Sequence, residues 1–140
     1  MKGTKLGVIA ILIPVLCGLV FGGAVYLFDF VVPTVQIHNR YVQIPKVPWQ
    51  TVKQIKNNGG GNCTSLAFLL MDKLDNEQAY FLIVDTPKGL HAAVLLNGLV
   101  MDPTIGKVFL YADYLHGKTF VDKVNYLHVN SYVGMAVFDY

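Results

Sequence analysis

The sequence predicts an α+β domain behind one N-terminal membrane-spanning helix, and three observations predict it. Residues 6–28 form an apolar run without a charge. Residues 63–74 carry apolar side chains at helical spacing. Residues 79–102 shift to strand patterning around Asn97-Gly98, a dipeptide that favours tight hairpin turns.

The apolar run reads LGVIAILIPVLCGLVFGGAVYLF. At 1.5 Å rise per residue it is long enough for a hydrocarbon core of about 30 Å. Pro14 and Gly22-Gly23 would weaken a helix in water but are tolerated in lipid. Lys2 and Lys5 precede the run and Asp29 follows it, which places the N-terminus in the cytoplasm and the remainder outside. Two alternatives stand beside the anchor. One is a cleaved signal peptide, with Gly22-Gly23-Ala24 as the small-residue site, although the apolar run continues past it. The other is a buried helix of a soluble protein. A lipoprotein is excluded because Leu16, not a small residue, precedes Cys17.

The 140 residues divide into an anchor or signal segment (1–28), a stalk (29–48) and one domain (49–140). Beyond residue 28 there are nine basic and nine acidic residues, so no basic stripe marks a nucleic-acid partner. Cys17 lies in the apolar run. Cys63 therefore stands alone in the domain and has no partner there for a disulfide.

Pro33, Pro45 and Pro48 predict an extended stalk. Trp49, Val52 and Ile55 at spacing three predict a short amphipathic helix over 49–56, stopped by the Asn/Gly run at 57–61. Leu66, Leu69, Leu70 and Leu74 form one face of a core helix over 63–74, with Asn62 as its N-cap. Residues 79–84 predict a strand and 86–89 a turn. A hairpin follows over 90–96 and 99–102, then a short helix over 109–116 and strands over 120–129 and 132–138. The strands are expected as an antiparallel meander.

The stretch NNGGGNCTSLAF carries the first chemical signal. A phosphate loop needs a lysine where Cys63 stands. Asn62-Cys63-Thr64 matches the glycosylation triplet, but a glycan would cover the cysteine. His38, His91, His116 and His128 are too scattered for a metal site with one cysteine, and nothing points to a cofactor. A nucleophile fits better. The first turn of a helix has unpaired N–H groups and partial positive charge, which stabilise a thiolate and an adjacent oxyanion. Glycines let a substrate backbone approach. A buried structural thiol would show the same sequence, so a base must decide.

Hairpin parity supplies one. With Asn97-Gly98 as a two-residue turn, Leu96 faces Leu99 and Ala93 faces Asp102. His91 then shares a face with Asp102, diagonally across the strands and within side-chain reach. Leu90, Ala92, Val94 and Leu96 line the other face. The His–Asp pair is expected on the face that receives the Cys63 helix. Cysteine, base and orienting acid together make the constellation of acyl transfer. His116, before Gly117, and His128, beside Tyr126 and Tyr132, read as structural or surface residues.

These residues resemble the transglutaminase-like cysteine peptidase superfamily. The resemblance rests on GGGNCTSLAFLLMDKL, LHAAVLL and LVMDPT, in that order, within residues 57–106. It implies a small papain-like or transglutaminase-like fold, with Cys63 as nucleophile, His91 as general base and acid, and Asp102 as orienter. It also implies an acyl-enzyme thioester. Ala92 and Met101 stand where the family often has aromatic residues. The oxyanion hole is expected from the Cys63 N–H and one upstream donor, with Trp49, Gln54 and Asn62 as candidates.

The resulting expectation is a membrane-anchored, exported cysteine enzyme that hydrolyses peptide or isopeptide amides, or transfers their acyl group. Its partners would be a peptide or protein, cell-wall peptide included, and the membrane through residues 6–28. A papain-like cell-wall endopeptidase or amidase is the enzymatic alternative. A non-catalytic anchored module on the same fold is the other.

Overall fold

The computed structural model describes residues 17–44, 47 and 50–125. The expected strand at 132–138, His128, Trp49, Pro45 and Pro48 lie outside them.

One continuous helix, α1, runs Cys17–Arg40. It is long and apolar enough to cross a membrane, a property that signal sequences and core helices share. Its first half lacks protein cover. Leu19, Val20 and Phe21 are each about 70% exposed, and Val25 to Phe28 are also exposed. Its second half packs on the domain through Phe30, Pro33, Thr34 and Ile37. The expected extended stalk is therefore corrected over 29–40, which is helical. Pro33 does not break the helix because a π-helical turn, Leu27–Val31, precedes it. A proline inside an α-helix removes an N–H and crowds the carbonyl four residues back. Widening the preceding turn relieves that crowding. Thr34 Oγ1 also donates to the Phe30 carbonyl at 2.6 Å.

Past α1, β1 (Val42–Gln43) pairs in parallel with β2 (Gly60–Gly61). Between them lies α2 (Val52–Asn58), starting in a Thr51/Gln54 capping box and ending at Gly59 with φ 72°. The core helix α3 (Cys63–Leu74) begins where the sequence places it, with Asn62 Oδ1 accepting from the Ser65 N–H at 3.0 Å.

The remaining strands are β3 (Tyr80–Thr86), β4 (Gly89–Leu96), β5 (Leu99–Asp102), β6 (Lys107–Leu110) and β7 (Thr119–Asn125). They form one antiparallel sheet in the order β6-β5-β4-β3-β7. The first three are the expected meander, and β6 extends it at one edge. β7 instead returns to the far edge and pairs with β3. The hairpin register is Val94↔Met101, Leu95↔Val100 and Leu96↔Leu99, as the Asn97-Gly98 turn dictates. Both turn residues have positive φ, 51° and 77°. The helix expected over 109–116 shrinks to α4 (Tyr111–Tyr114), because residues 107–110 extend the sheet.

The sheet is buried on both faces. Leu66, Leu69 and Leu70 of α3, with Phe30 and Ile37 of α1, pack against Phe81, Ile83, Ala92, Val94, Leu96 and Met101. The opposite face gathers Leu82, Val84, Ala93, Val100 and Tyr114.

Candidate active site

Cys63, His91 and Asp102 come from three elements of the fold: the first residue of α3, the third of β4 and the last of β5. His91 Nε2 and Asp102 Oδ2 lie 2.7 Å apart. The imidazole donates in that bond, because an ionised carboxylate only accepts. The Cys63 thiol also acts on the imidazole, through hydrogen bonding and charge. Burial lowers the His91 pKa, but hydrogen bonds to Asp102 and Cys63 and the charges behind them outweigh it and raise it from 6.5 to about 9.

The face expected for the pair needs correction. α3 packs on the side of Ala92 and Val94, whereas His91 and Asp102 share theirs with Ala93, Val100 and Tyr114. Parity fixes which residues share a face, but not which face receives a helix. The thiol and imidazole nevertheless interact, because Cys63 lies at the very start of α3 and His91 near the start of β4.

Asp102 is more firmly held than hairpin parity alone suggests. Its Oδ2 also accepts from the Tyr114 hydroxyl at 2.9 Å, and Oδ1 accepts from the Thr104 N–H at 3.1 Å. Tyr114 was not singled out in the sequence. Its signal is indirect: a buried tyrosine hydroxyl needs a partner, and a carboxylate can accept more than one histidine donates. Lys118 completes this side, donating to the Tyr114 carbonyl at 2.8 Å and lying 4.4 Å from its ring centre.

The oxyanion candidates separate. Trp49 lies outside the described residues. Gln54 is not at the site, because its side chain accepts from the Thr51 N–H at 2.8 Å in the α2 cap. Asn62 adjoins Cys63, but its oxygen accepts from the Ser65 N–H and hydroxyl, while its amide nitrogen lies 3.4 Å from the Val47 carbonyl. Asn62 is also 5% exposed, so a glycan has no room. Gln50, which the sequence reading passed over, comes to the start of α3, with Oε1 3.5 Å from Ser65 Oγ.

The glycines serve the chain itself. A Cβ at Gly60 would lie 1.9 Å from the Val42 carbonyl oxygen, and one at Gly61 would lie 2.4 Å from Ser65 Cβ. The segment after α1 therefore occupies the approach that the sequence suggested for a substrate. Val47 and Gln50 continue it over the start of α3. Cys63 is 0% exposed, and His91 and Asp102 are 2% exposed. Among the described residues no cluster of metal-ligating side chains exists. His116 follows α4 as expected, its N–H donating to the Asp113 carbonyl.

With this geometry in place, one solved structure is informative. The calcium-bound LapG of Legionella pneumophila matches with a TM-score of 0.52 at 13% identity, over 68% of this chain and 65% of that one. This likeness concerns the fold alone. The chain spans about two thirds of the length of that protein. No family model and no curated protein matches.

The raised His91 pKa predicts a pH dependence of stability. A charged imidazole favours the folded state, so its contribution is full below about pH 6.5. It declines above that and is lost as pH rises through about 9. Denaturant unfolding of the native protein and His91→Gln between pH 6 and 10 checks this. The stability difference between them should shrink steadily across that range.

Proposed function

We propose that this chain is a cysteine acyl-transfer enzyme acting on amide bonds of a peptide or protein, through Cys63, His91 and Asp102. The observation that carries this reading is the buried His91–Asp102 bond of 2.7 Å on an imidazole that also interacts with Cys63. The likeness of the fold to a transglutaminase-like cysteine protease supports it.

In this reading the imidazole holds the thiol proton and the thiolate attacks the amide carbonyl carbon. The Cys63 N–H, at the start of α3, stabilises the oxyanion, with the Gln50 amide as a side-chain candidate. The C–N bond breaks as His91 gives its proton to the leaving amine. A thioester remains. Water, deprotonated by His91, attacks it and releases the acid; an amine in place of water gives transamidation. Asp102 keeps the imidazole oriented and stabilises its charged form. The exposed apolar half of α1 fits a membrane anchor that places this site outside the cytoplasm.

One observation favours a second reading. Cys63 has no exposed surface, as a structural thiol in a non-catalytic module would have. Intact-mass analysis after incubation with activated peptide esters separates the two. The enzyme should gain one acyl group that hydroxylamine removes, and Cys63→Ala should gain none. Absence of any adduct on the native protein would favour the non-catalytic module.

A further inference from the structure

We propose that His38, on the helix that carries the apolar run, is a positioning residue for Asp102, acting through the turn that follows it; the inference rests on the reading of Asp102 given above. His38 Nδ1 lies 3.2 Å from the Pro103 carbonyl oxygen and 3.1 Å from that of Thr104. Two carbonyls can only accept, so the ring presents an N–H to both. That same turn fixes Asp102 twice. Thr104 N–H donates to the carboxylate Oδ1, and Gly106 N–H donates to the Asp102 carbonyl at 2.9 Å.

A second observation bears on the same contact. Gly106 has φ +70°, and a Cβ there would lie 2.8 Å from Cγ and Cδ2 of His38. The ring therefore packs closely against the turn, in addition to bonding its carbonyls. On its own helix, His38 is flanked by Thr34 and Ile37, both buried, which fix the rotation of α1. The chain thus uses the end of its N-terminal helix to brace the acid that orients the imidazole. The helix supports the site, and His38 links the element that carries the apolar run to the turn that holds Asp102.

The test uses the full chain in detergent micelles, with two substitutions of different chemistry. His38→Phe keeps a ring but removes the donor. His38→Asn places an amide nitrogen near the position of Nδ1. The readout is the His91 titration midpoint followed by NMR of the imidazole, with Cys63 alkylation by iodoacetamide at pH 7 beside it. A hydrogen bond of ordinary strength corresponds to a midpoint lowered by roughly 1 pH unit in His38→Phe, and alkylation slower by about 3–10-fold. His38→Asn should restore both. Gly106→Ala, which pushes the intact ring away, should reproduce the His38→Phe result. A midpoint unchanged in His38→Phe, or an Asn variant as altered as the Phe variant, overturns the proposal. Failure of the acyl-enzyme experiment on the native protein instead removes the catalytic reading and leaves the midpoint comparison intact.

Discussion

Asp102→Asn is expected to lower kcat/KM on a peptide amide by about 10³-fold or more, with the fold retained. The carboxylate accepts from His91 Nε2 and the Tyr114 hydroxyl on one oxygen and from the Thr104 N–H on the other. An asparagine replaces one of these acceptors with an NH₂ group. Whichever way it turns, a donor then meets a donor in a buried site. If its nitrogen faces His91, the imidazole must present a lone pair at Nε2 and its proton at Nδ1, the wrong arrangement for taking a proton from Cys63. The charge that held the imidazolium is also gone. Because burial lowers the His91 pKa and two of the influences that raise it come from Asp102, the midpoint should fall below about 9. Steady-state kinetics and imidazole NMR on the same sample check both parts. A variant with native kinetics and a native midpoint would mean that Asp102 has no orienting role.

Gly60→Ala is expected to be the most costly small substitution near the site, at about 3 kcal/mol in denaturant unfolding. The added carbon would lie 1.9 Å from the Val42 carbonyl oxygen and 2.8–2.9 Å from further Val42 backbone atoms. Backbone on both sides cannot rotate away as a side chain can. The β1–β2 ladder must therefore open, with its flanking bonds from Val42 N–H to the Gly59 carbonyl and from Ile44 N–H to the Gly61 carbonyl. Since this segment covers the start of α3, Cys63 should also become more accessible to alkylating reagents. Gly18→Ala is the control. A Cβ there meets nothing within 4 Å, and alanine is the better helix former, so no loss of stability is expected.

The legible parts of this protein were those fixed by local chemistry. Asn97-Gly98 sets a two-residue turn, and the turn sets the register that brings His91 and Asp102 to one face. Asn62 before a run of apolar residues at helical spacing locates the start of α3 and hence Cys63. What failed depended on distant partners. Pro33 reads as a breaker unless the preceding π turn is known, so the packed half of α1 was taken for a stalk. The face that receives α3 follows from where large side chains pile up in three dimensions, and parity is silent on that. Gln54 is a plausible donor in sequence until the α2 cap claims it, and no local pattern marks Gln50 instead. Tyr114 and His38 reach the Asp102 turn from opposite ends of the domain, and no local pattern announces either.

The fold also sets a condition on activity. Cys63, His91 and Asp102 are all buried, and the chain's own connection between α1 and α2 lies against the start of α3 through Val47 and Gln50. Under the proposed function, a substrate would have to displace part of that connection to reach the sulfur. The β1–β2 ladder, only two residue pairs long, is the short element that opposes such a movement.

The central claim is that His91 activates the Cys63 sulfur, and the rate of Cys63 alkylation by iodoacetamide at pH 7, in the folded native protein and in His91→Ala, tests it most directly. The account predicts measurable labelling of the native protein and labelling at least about 10-fold slower in the variant, because the thiolate loses its protonated partner. Equal rates in the two proteins, or labelling of the native protein only in denaturant, would contradict it.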